Sequence, residues 1–227
     1  MSAIVVAVSG TGTNVGKTYV ASALTAALAQ RGPATGVKPY ESGHDAELGP
    51  DQRDLAAAST TSATALGFAL RCFPEPVAPP EAARRAGASV DLAAFIASFQ
   101  RVRARVSGVL VLELAGGLFS PFDDATCNAD VLRALAPEHH VLVAPNRLGV
   151  LHDARAAVRA SRAEGLTVDA LVVTHPPGAG DDASCRSNVR ALEGLVQSAS
   201  IVLRAAPIAE AVVTLGEAWD RGAFRRR

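Results

Sequence analysis

The sequence predicts an α/β protein built on one doubly wound, mostly parallel sheet. Short and almost wholly apolar runs alternate with longer segments whose apolar residues recur at helical spacing, and this alternation continues along the 227 residues. Strands that are apolar throughout are typical of a parallel sheet covered by helices on both faces. Because 49% of the residues are hydrophobic, we expect one substantial core and a single domain spanning 1–227.

The first half of the chain begins with a strand, a glycine-rich loop and a helix. The run A-I-V-V-A-V-S at 3–9 predicts a buried strand, and 16–31 predicts a helix because its apolar residues fall on one face. A short second strand is predicted at 35–39. An alanine-rich helix at 54–70 and a further helix at 91–106 complete this half.

The second half repeats the alternation. Its apolar runs predict strands at 109–114, 141–145, 169–174 and 201–204. Its helical patterns predict helices at 150–164 and 182–197. Three stretches interrupt the pattern and are predicted as a polar loop, a proline-rich surface excursion and a turn-rich loop, at 41–53, 72–88 and 176–182.

The composition gives no support to nucleic acid or membrane partners. Basic and acidic residues both number 22, so a neutral chain gives no reason to expect nucleic acid or an anionic membrane as partner. Cys72, Cys127 and Cys185 are scattered, which favours reduced thiols in a cytoplasmic protein. We find no secretory signal and no apolar stretch of the roughly 20 residues that a membrane span needs.

The loop G-T-G-T-N-V-G-K-T, from Gly10 to Thr18, carries the strongest functional signal. It lies between a predicted strand and a predicted helix, which is the setting of a P-loop. Its backbone N–H groups can surround phosphates, Lys17 can reach the β- and γ-phosphates, and Thr18 can bind Mg²⁺. The usual spacing would place the first glycine at position 11, which is Thr11, and the loop has no second lysine of the partition-type ATPases.

Lysine and carboxylate side chains follow other predicted strands. Lys38 ends the second strand, and Glu113 ends the strand V-L-V-L-E-L. Ligands of open α/β sheets bind at this carboxyl edge, so Lys38 can stabilise anionic oxygens there. A carboxylate in an apolar strand is costly unless it is paired or metal-bound. We therefore expect Thr18, Asp54 and Glu113 to form an oxygen site for Mg²⁺.

Covalent catalysis finds no support in the sequence. No Ser–His–Asp arrangement is readable, and the histidines show no metal-binding spacing. His139 and His140 precede a predicted strand and are interpreted as surface residues. Phosphoryl transfer by positioned charge fits these residues better than a covalent intermediate.

Taken together, these motifs resemble those of the dethiobiotin synthetases of biotin biosynthesis. The resemblance rests on the P-loop, K-P-Y-E-S-G at 38–43, Asp54, E-L-A-G-G-L-F-S-P at 113–121 and R-L-G at 147–149. It implies a P-loop nucleotide-hydrolase fold, usually a homodimer, and an ATP- and Mg²⁺-dependent ligase. That ligase converts 7,8-diaminopelargonate and CO₂ to dethiobiotin through a phosphorylated carbamate, releasing ADP and phosphate.

The resemblance also implies roles for individual residues. Lys17 and Lys38 would be catalytic, and Thr18, Asp54 and Glu113 would bind Mg²⁺. The nucleotide would contact Asn14, Val15, Gly16, Lys17, Thr18, Tyr19, Asp54, Glu113, Leu114, Ala115, Gly116, Thr174, His175, Pro207, Ile208 and Ala209. The diamine would contact Thr13, Ser42, Leu148, Gly149, Val150, Leu151 and His152, the last five at a helix start donated by the partner subunit.

Three positions depart from the family pattern. Leu114 replaces a glycine, His152 stands where an asparagine is expected, and Thr174 followed by His175 replaces the asparagine that reads adenine. These differences leave base selectivity open. They also keep open a paralogue that binds nucleotide without ring closure. Two further alternatives are a related amide-forming synthetase and a P-loop switch that positions partners.

Overall fold

A computed structural model describes residues 2–175, 183–193, 195, 199–203 and 208–223. The strands are β1 (Ile4–Gly10), β2 (Ala34–Val37), β3 (Tyr40–Ser42), β4 (Arg71–Phe73), β5 (Val109–Glu113), β6 (His139–Pro145), β7 (Ala170–Thr174) and β8 (Ala199–Leu203). The helices are α1 (Lys17–Ala29), α2 (Pro50–Ala58), α3 (Pro79–Arg85), α4 (Leu92–Arg103), α5 (Asn128–Leu135), α6 (Val150–Ala163), α7 (Cys185–Leu192) and α8 (Ile208–Asp220).

The main sheet has six strands in the order β2-β5-β1-β6-β7-β8, and every pairing in it is parallel. Alternate residues of β1 enter different cores. Val6 and Val8 pack with α1 and α8, whereas Val5 and Ala7 pack with α4 and α5. Helices therefore cover both faces, and the predicted doubly wound α/β class is confirmed. The strand order reverses beside β1, so the P-loop lies where such sheets bind ligands.

The predicted helix at 54–70 is wrong at both ends. Helix α2 begins at Pro50, because proline suits the first helical position, and it ends at Ala58. Ser59 and Thr60 follow Ala58 and do not continue the helix, because their hydroxyl groups bind the edge strand β2 instead. Gly36 N–H donates to Ser59 Oγ at 2.9 Å, and Ala34 N–H donates to Thr60 Oγ1 at 3.1 Å. These side chains satisfy backbone groups of β2 that have no neighbouring strand.

The segments predicted as loops at 41–53 and 72–88 contain regular structure. β3 and β4 form a small parallel sheet, and α3 packs beside it through Ala82 and Ala83. Helices α5 and α8 were not predicted either. The turn-rich loop at 176–182 lies outside the described residues, as do parts of the predicted segments 182–197 and 201–204. Within the described ranges, none of the helices is both long enough and apolar enough for a membrane span.

The interpretation of His140 as a surface residue is wrong. β6 begins at His139, two residues earlier than predicted, so His140 is a strand residue and is only 2% exposed. Its Nε2 lies 2.7 Å from Ser9 Oγ, and its Nδ1 lies 3.1 Å from the carbonyl oxygen of Thr167. Hydrogen bonds to both ring nitrogens explain how an imidazole is accommodated between β1 and the end of α6.

Gly108 gives a stability prediction for the sheet. Its φ is +88°, and a Cβ atom there would lie 2.0 Å from the carbonyl oxygen of Pro33, which accepts the N–H of Val109. Gly108→Ala should therefore lower the free energy of unfolding by about 3 kcal/mol, because a left-handed backbone and a steric clash act together.

Gly165→Ala is the matched control for that variant. Gly165 has a φ of +73°, but a Cβ atom there would meet nothing within 4 Å. Gly165→Ala should lower the free energy of unfolding, measured with urea, by only about 1 kcal/mol, because only the left-handed backbone conformation is unfavourable there. Equal losses for the two variants would show that the contact between Gly108 and Pro33 contributes nothing.

Candidate active site

A cavity of about 890 Å³ lies at the carboxyl edge of the main sheet. It is bounded by the loop after β1 and by the ends of β2, β5 and β7, with β3 and α2 on one side. Its lining consists of Thr13, Asn14, Gly16, Lys17, Thr18, Tyr19, Lys38, Glu41, Ser42, His44, Asp51, Glu113, Ala115, Gly116, Thr174 and His175. The predicted P-loop residues, Lys38 and Glu113 therefore meet in one place.

The loop between β1 and α1 has the shape of a phosphate cradle. Asn14 and Gly16 have φ values of 58° and 90°, so the backbone turns through left-handed conformations before α1 begins. Gly16 is the N-cap of α1, and no side chain caps this helix. A helix N-terminus without a side-chain cap can bind an anion through its N–H groups, and the helix dipole also favours an anion there.

Lys17 is buried beneath this loop. Its Nζ donates to the carbonyl oxygen of Gly12 at 2.8 Å, so the side chain folds back along the cradle. Burial, helped by the charge of Lys38 and opposed by the charges of Glu113 and Asp51, lowers the pKa of Lys17 to about 8. A phosphate bound in the cradle would stabilise the ammonium form of Lys17.

Lys38 lies between two carboxylates. Its Nζ donates to Glu113 Oε1 at 2.9 Å and also pairs with Asp51. Burial alone would lower the pKa of Lys38, but the charges and hydrogen bonds of Glu113 and Asp51 outweigh burial and raise it. Lys38 is therefore a fixed positive charge in the wall of the cavity.

Glu113 is fully buried at the end of β5. Its Oε1 accepts hydrogen bonds from Thr18 Oγ1 at 2.9 Å and from Lys38, whereas Oε2 has no partner among the described residues. A buried carboxylate oxygen without a partner requires compensation. The hard oxygen donors of Thr18, Asp51 and Glu113 fit Mg²⁺, which uses few protein ligands and completes its shell with water and substrate phosphates.

The structure does not bring Asp54, the carboxylate predicted from the sequence, to this site. Asp54 lies one turn farther along α2, is exposed and does not line the cavity. Asp51 occupies the place predicted for it. The physical reason is the start of the helix: because α2 begins at Pro50, its first turn brings Asp51 against Lys38.

Leu114 and Thr174 have structural roles that differ from those predicted. Leu114 is 1% exposed and packs in the core behind β5, so only Ala115 and Gly116 of this segment line the cavity. Thr174 lines the cavity, but its hydroxyl donates to the carbonyl oxygen of Val15 at 2.7 Å and so supports the P-loop. His175, the next residue, also lines the cavity.

The predicted substrate residues divide into two groups. Thr13 and Ser42 line the cavity, and Ser42 Oγ donates to the carbonyl oxygen of Val77 at 2.7 Å. The segment from Leu148 to His152 lies at the start of α6, outside this cavity, with Gly149 as the left-handed N-cap and Leu148 76% exposed. Within it, Val150 is buried in the core below.

The base-side strip predicted at 207–209 is not part of the described cavity. Ile208 and Ala209 begin α8 and are exposed, and Pro207 lies outside the described residues. Sequence reasoning also missed Glu41, Asp51 and Gln52. The signal for Asp51 was present in G-P-D at 49–51, a helix start with proline at its first position.

Comparisons with known proteins place the chain among relatives of known name. Residues 5–205 match the family model described as an AAA domain. The chain is 38% identical over 190 residues to the ATP-dependent dethiobiotin synthetase BioD of Saccharopolyspora erythraea, covering 82% of this chain and 80% of that protein. It is 34% identical over 222 residues to the protein of the same name from Caulobacter sp., covering 96% and 90%.

Solved structures show the fold. The MinC:MinD cell division protein complex of Aquifex aeolicus matches with a TM-score of 0.54 and 12% identity, covering 96% of each chain. A ParA family ATPase from Chlorobium tepidum matches with a TM-score of 0.50 and 10% identity, covering 97% and 92%. At such low identity, these likenesses support the P-loop fold and nothing finer.

Asp51 and Asp54 form a test pair on one helix. Asp51→Asn should weaken Mg²⁺-dependent ATP binding about tenfold, because it removes a charged oxygen beside Lys38 and Glu113. Asp54→Asn should change that binding less than about twofold, since Asp54 faces solvent. Calorimetric titration of ATP at several Mg²⁺ concentrations measures both. If the two variants weakened ATP binding equally, or if Asp54→Asn weakened it more, Asp51 would not be the carboxylate that takes the place predicted for Asp54.

Lys17 gives a pH prediction. With a pKa of about 8 in the free protein, Lys17 loses its charge as the pH rises from 7 to 9, and ATP binding must then restore the proton. ATP affinity should fall about tenfold over this interval, with proton uptake visible as different binding enthalpies in buffers of different ionisation enthalpy. Lys17→Met should abolish the uptake. Wild-type affinity that is constant from pH 7 to 9 would contradict the lowered pKa.

Proposed function

The chain belongs to the family of ATP-dependent dethiobiotin synthetases, ligases of biotin biosynthesis, and we propose that it converts 7,8-diaminopelargonate, CO₂ and ATP to dethiobiotin, ADP and phosphate. One amine of the substrate bonds to CO₂ and loses a proton, giving a carbamate. A carbamate oxygen takes the γ-phosphoryl group from ATP, and ADP leaves. The second amine attacks the carbamoyl carbon, phosphate leaves with the electron pair of the C–O bond, and the nitrogen releases a proton.

The observation that carries this proposal is Lys38, buried between Glu113 and Asp51 beside the P-loop. A carbamate, its phosphorylated form and the transferring phosphoryl group are all anionic. A cation that is already oriented stabilises such charge without reorganising at the moment of reaction. Lys17 and the N-terminus of α1 would act on the phosphates of ATP, while Lys38 would act on the carbamate side.

Magnesium belongs to the same proposal. Thr18, Asp51 and Glu113 would hold the ion, and this assignment is supported by Glu113 Oε2, which has no partner within the described part of the chain. When bound, Mg²⁺ would neutralise charge on the nucleotide phosphates. The two lysines hold the remaining positive charge of the cavity wall.

We further propose a homodimer in the cytoplasm in which Leu148–His152 of one subunit completes the site of the other. The N-terminus of α6 suits a carboxylate. Leu148 is an exposed apolar residue next to it, which a subunit contact would cover. The scattered positions of Cys72, Cys127 and Cys185, which form no CxxC pair, fit a reducing compartment.

The direct test is phosphate release from ATP with and without 7,8-diaminopelargonate, in the presence of bicarbonate and Mg²⁺. Release should depend on the diamine, and dethiobiotin should form in equal amount. Diamine-independent release would overturn the proposed reaction. Repeating the assay with GTP and CTP determines base selectivity at the cavity side occupied by His175.

Lys38→Ala should lower turnover about 100-fold, because the charge that stabilises the phosphorylated carbamate is lost. Lys38→Arg should not restore it, since a planar guanidinium does not replace a compact ammonium between two carboxylates. Steady-state rates at saturating ATP and diamine measure both variants. Turnover of Lys38→Ala within a few-fold of wild type would refute the assigned role.

A further inference from the structure

We propose that Glu41 is a positioning residue, whose carboxylate reaches across from β3 to cap helix α2 and thereby fixes Asp51 at the wall of the active-site cavity. The role of Asp51 rests on the proposed function. The capping contact itself rests only on the geometry of the described residues, so the two can fail separately.

Helix α2 has no side chain of its own at the N-cap. Gly49 occupies that position with φ −71° and ψ 166°, an extended conformation that any residue adopts. Pro50, the first helical residue, has no N–H to satisfy. The N–H groups of Asp51 and Gln52 are therefore the first-turn donors that need an acceptor, and a capping side chain would normally supply it.

Glu41 supplies that acceptor from outside the helix. Asp51 N–H donates to Glu41 Oε1 at 3.2 Å, and Gln52 N–H donates to Glu41 Oε2 at 3.0 Å. Glu41 is 4% exposed, and its hydrogen bond from Gln52 N–H is buried while that from Asp51 N–H is partly buried. Burial raises the pKa of Glu41, and the two backbone donors partly oppose this shift. A carboxylate at a helix N-terminus is also favoured by the helix dipole.

The side chain of Gln52 adds a hydrogen bond in the opposite direction, from the helix back to the N-cap residue Gly49. Its Oε1 accepts the N–H of Gly49 at 3.0 Å, as the third helical residue does in a capping box. Its Nε2 donates to the carbonyl oxygens of Lys38 and Arg71 at 3.1 Å each. The first turn of α2 is thus tied to β2 and β4, and through Glu41 to β3. Asp51, within that turn, is held against Lys38.

The close fit between Glu41 and Gly49 provides a sharp experiment. A Cβ atom on Gly49 would lie 2.2 Å from the carboxyl carbon of Glu41. Gly49→Ser should therefore disrupt the cap in the wild-type background. In Glu41→Ala the space is free, and the same serine can cap Gln52 N–H from the normal N-cap position. Each substitution alone should therefore weaken the cap of α2, and the double variant should be closer to wild type than either single variant.

The readouts are thermal unfolding and the Mg²⁺ dependence of diamine-dependent phosphate release. Glu41→Ala and Gly49→Ser should each raise the Mg²⁺ concentration for half-maximal rate about tenfold. Glu41→Ala/Gly49→Ser should return that concentration and the unfolding temperature towards wild type. The KM for the diamine should change little, because the cap acts on Asp51.

Ser59→Ala is the matched control at the other end of α2. Ser59 Oγ donates to the carbonyl oxygen of Leu55 at 2.7 Å and accepts the N–H of Gly36 at 2.9 Å, so its loss should lower the unfolding temperature. Because Ser59 lies far from Asp51 along the helix, the Mg²⁺ dependence should stay that of wild type. This separates loss of helix stability from loss of position at Asp51.

Two results would overturn the proposal. One is Glu41→Ala with wild-type Mg²⁺ dependence. The other is a double variant that recovers stability but not Mg²⁺ dependence, which would mean that Glu41 acts on the ligand directly. If the wild-type protein releases no diamine-dependent phosphate, the proposed function fails. The capping proposal can then still be tested by measuring Mn²⁺ binding to the same four variants in the presence of ADP.

Discussion

The charge cluster around Glu113 is the constraint on which the site depends. A carboxylate that is fully buried at the end of an apolar strand would cost several kcal/mol if it were unpaired. Lys38 and Thr18 offset this cost through one carboxylate oxygen and leave the other without a partner among the described residues. Helix α1 and the end of β2 are therefore both hydrogen-bonded to a single atom of β5, Glu113 Oε1.

The parts of the site that lie on strands and on the P-loop could be predicted from sequence. Their positions follow from apolar runs and from a motif, because the carboxyl ends of parallel strands meet at one edge. Lys38 and Glu113 were located in this way, and so was the cradle from Asn14 to Thr18. Asp51 was missed for Asp54, because the helix was predicted to begin at 54 although G-P-D at 49–51 signals an earlier start. The contact of Asp51 with Glu41, ten residues away along the chain and part of a different element, has no sequence signal.

Contacts between distant segments explain the other differences as well. Leu114 follows Glu113 directly, yet alternation along the chain turns it into the core behind β5. Thr174 was compared with a base-reading residue, whereas its hydroxyl binds the backbone of the P-loop 159 residues away in sequence. The hydroxyl groups after α2 bind β2 and end the helix. The pairings of Thr174 and of the hydroxyl groups have no local pattern, so periodicity could not reveal them.

The distribution of basic residues in the chain leads to the same site. Of the 22 basic residues only two are lysines, Lys17 and Lys38, and the other 20 are arginines. The arginines with ion pairs in the described residues meet partners at or near the surface, as Arg31 does with Asp220. The two lysines are buried, and both line the cavity.

A guanidinium needs space for a planar, multidentate partner, whereas an ammonium is a compact charge that fits between closely spaced oxygens. The ammonium can also lose its proton when buried, as the lowered pKa of Lys17 indicates. A site that must hold phosphates with one cation and two carboxylates with another therefore needs lysine at both positions. The chain has lysine only where the geometry of the site requires it.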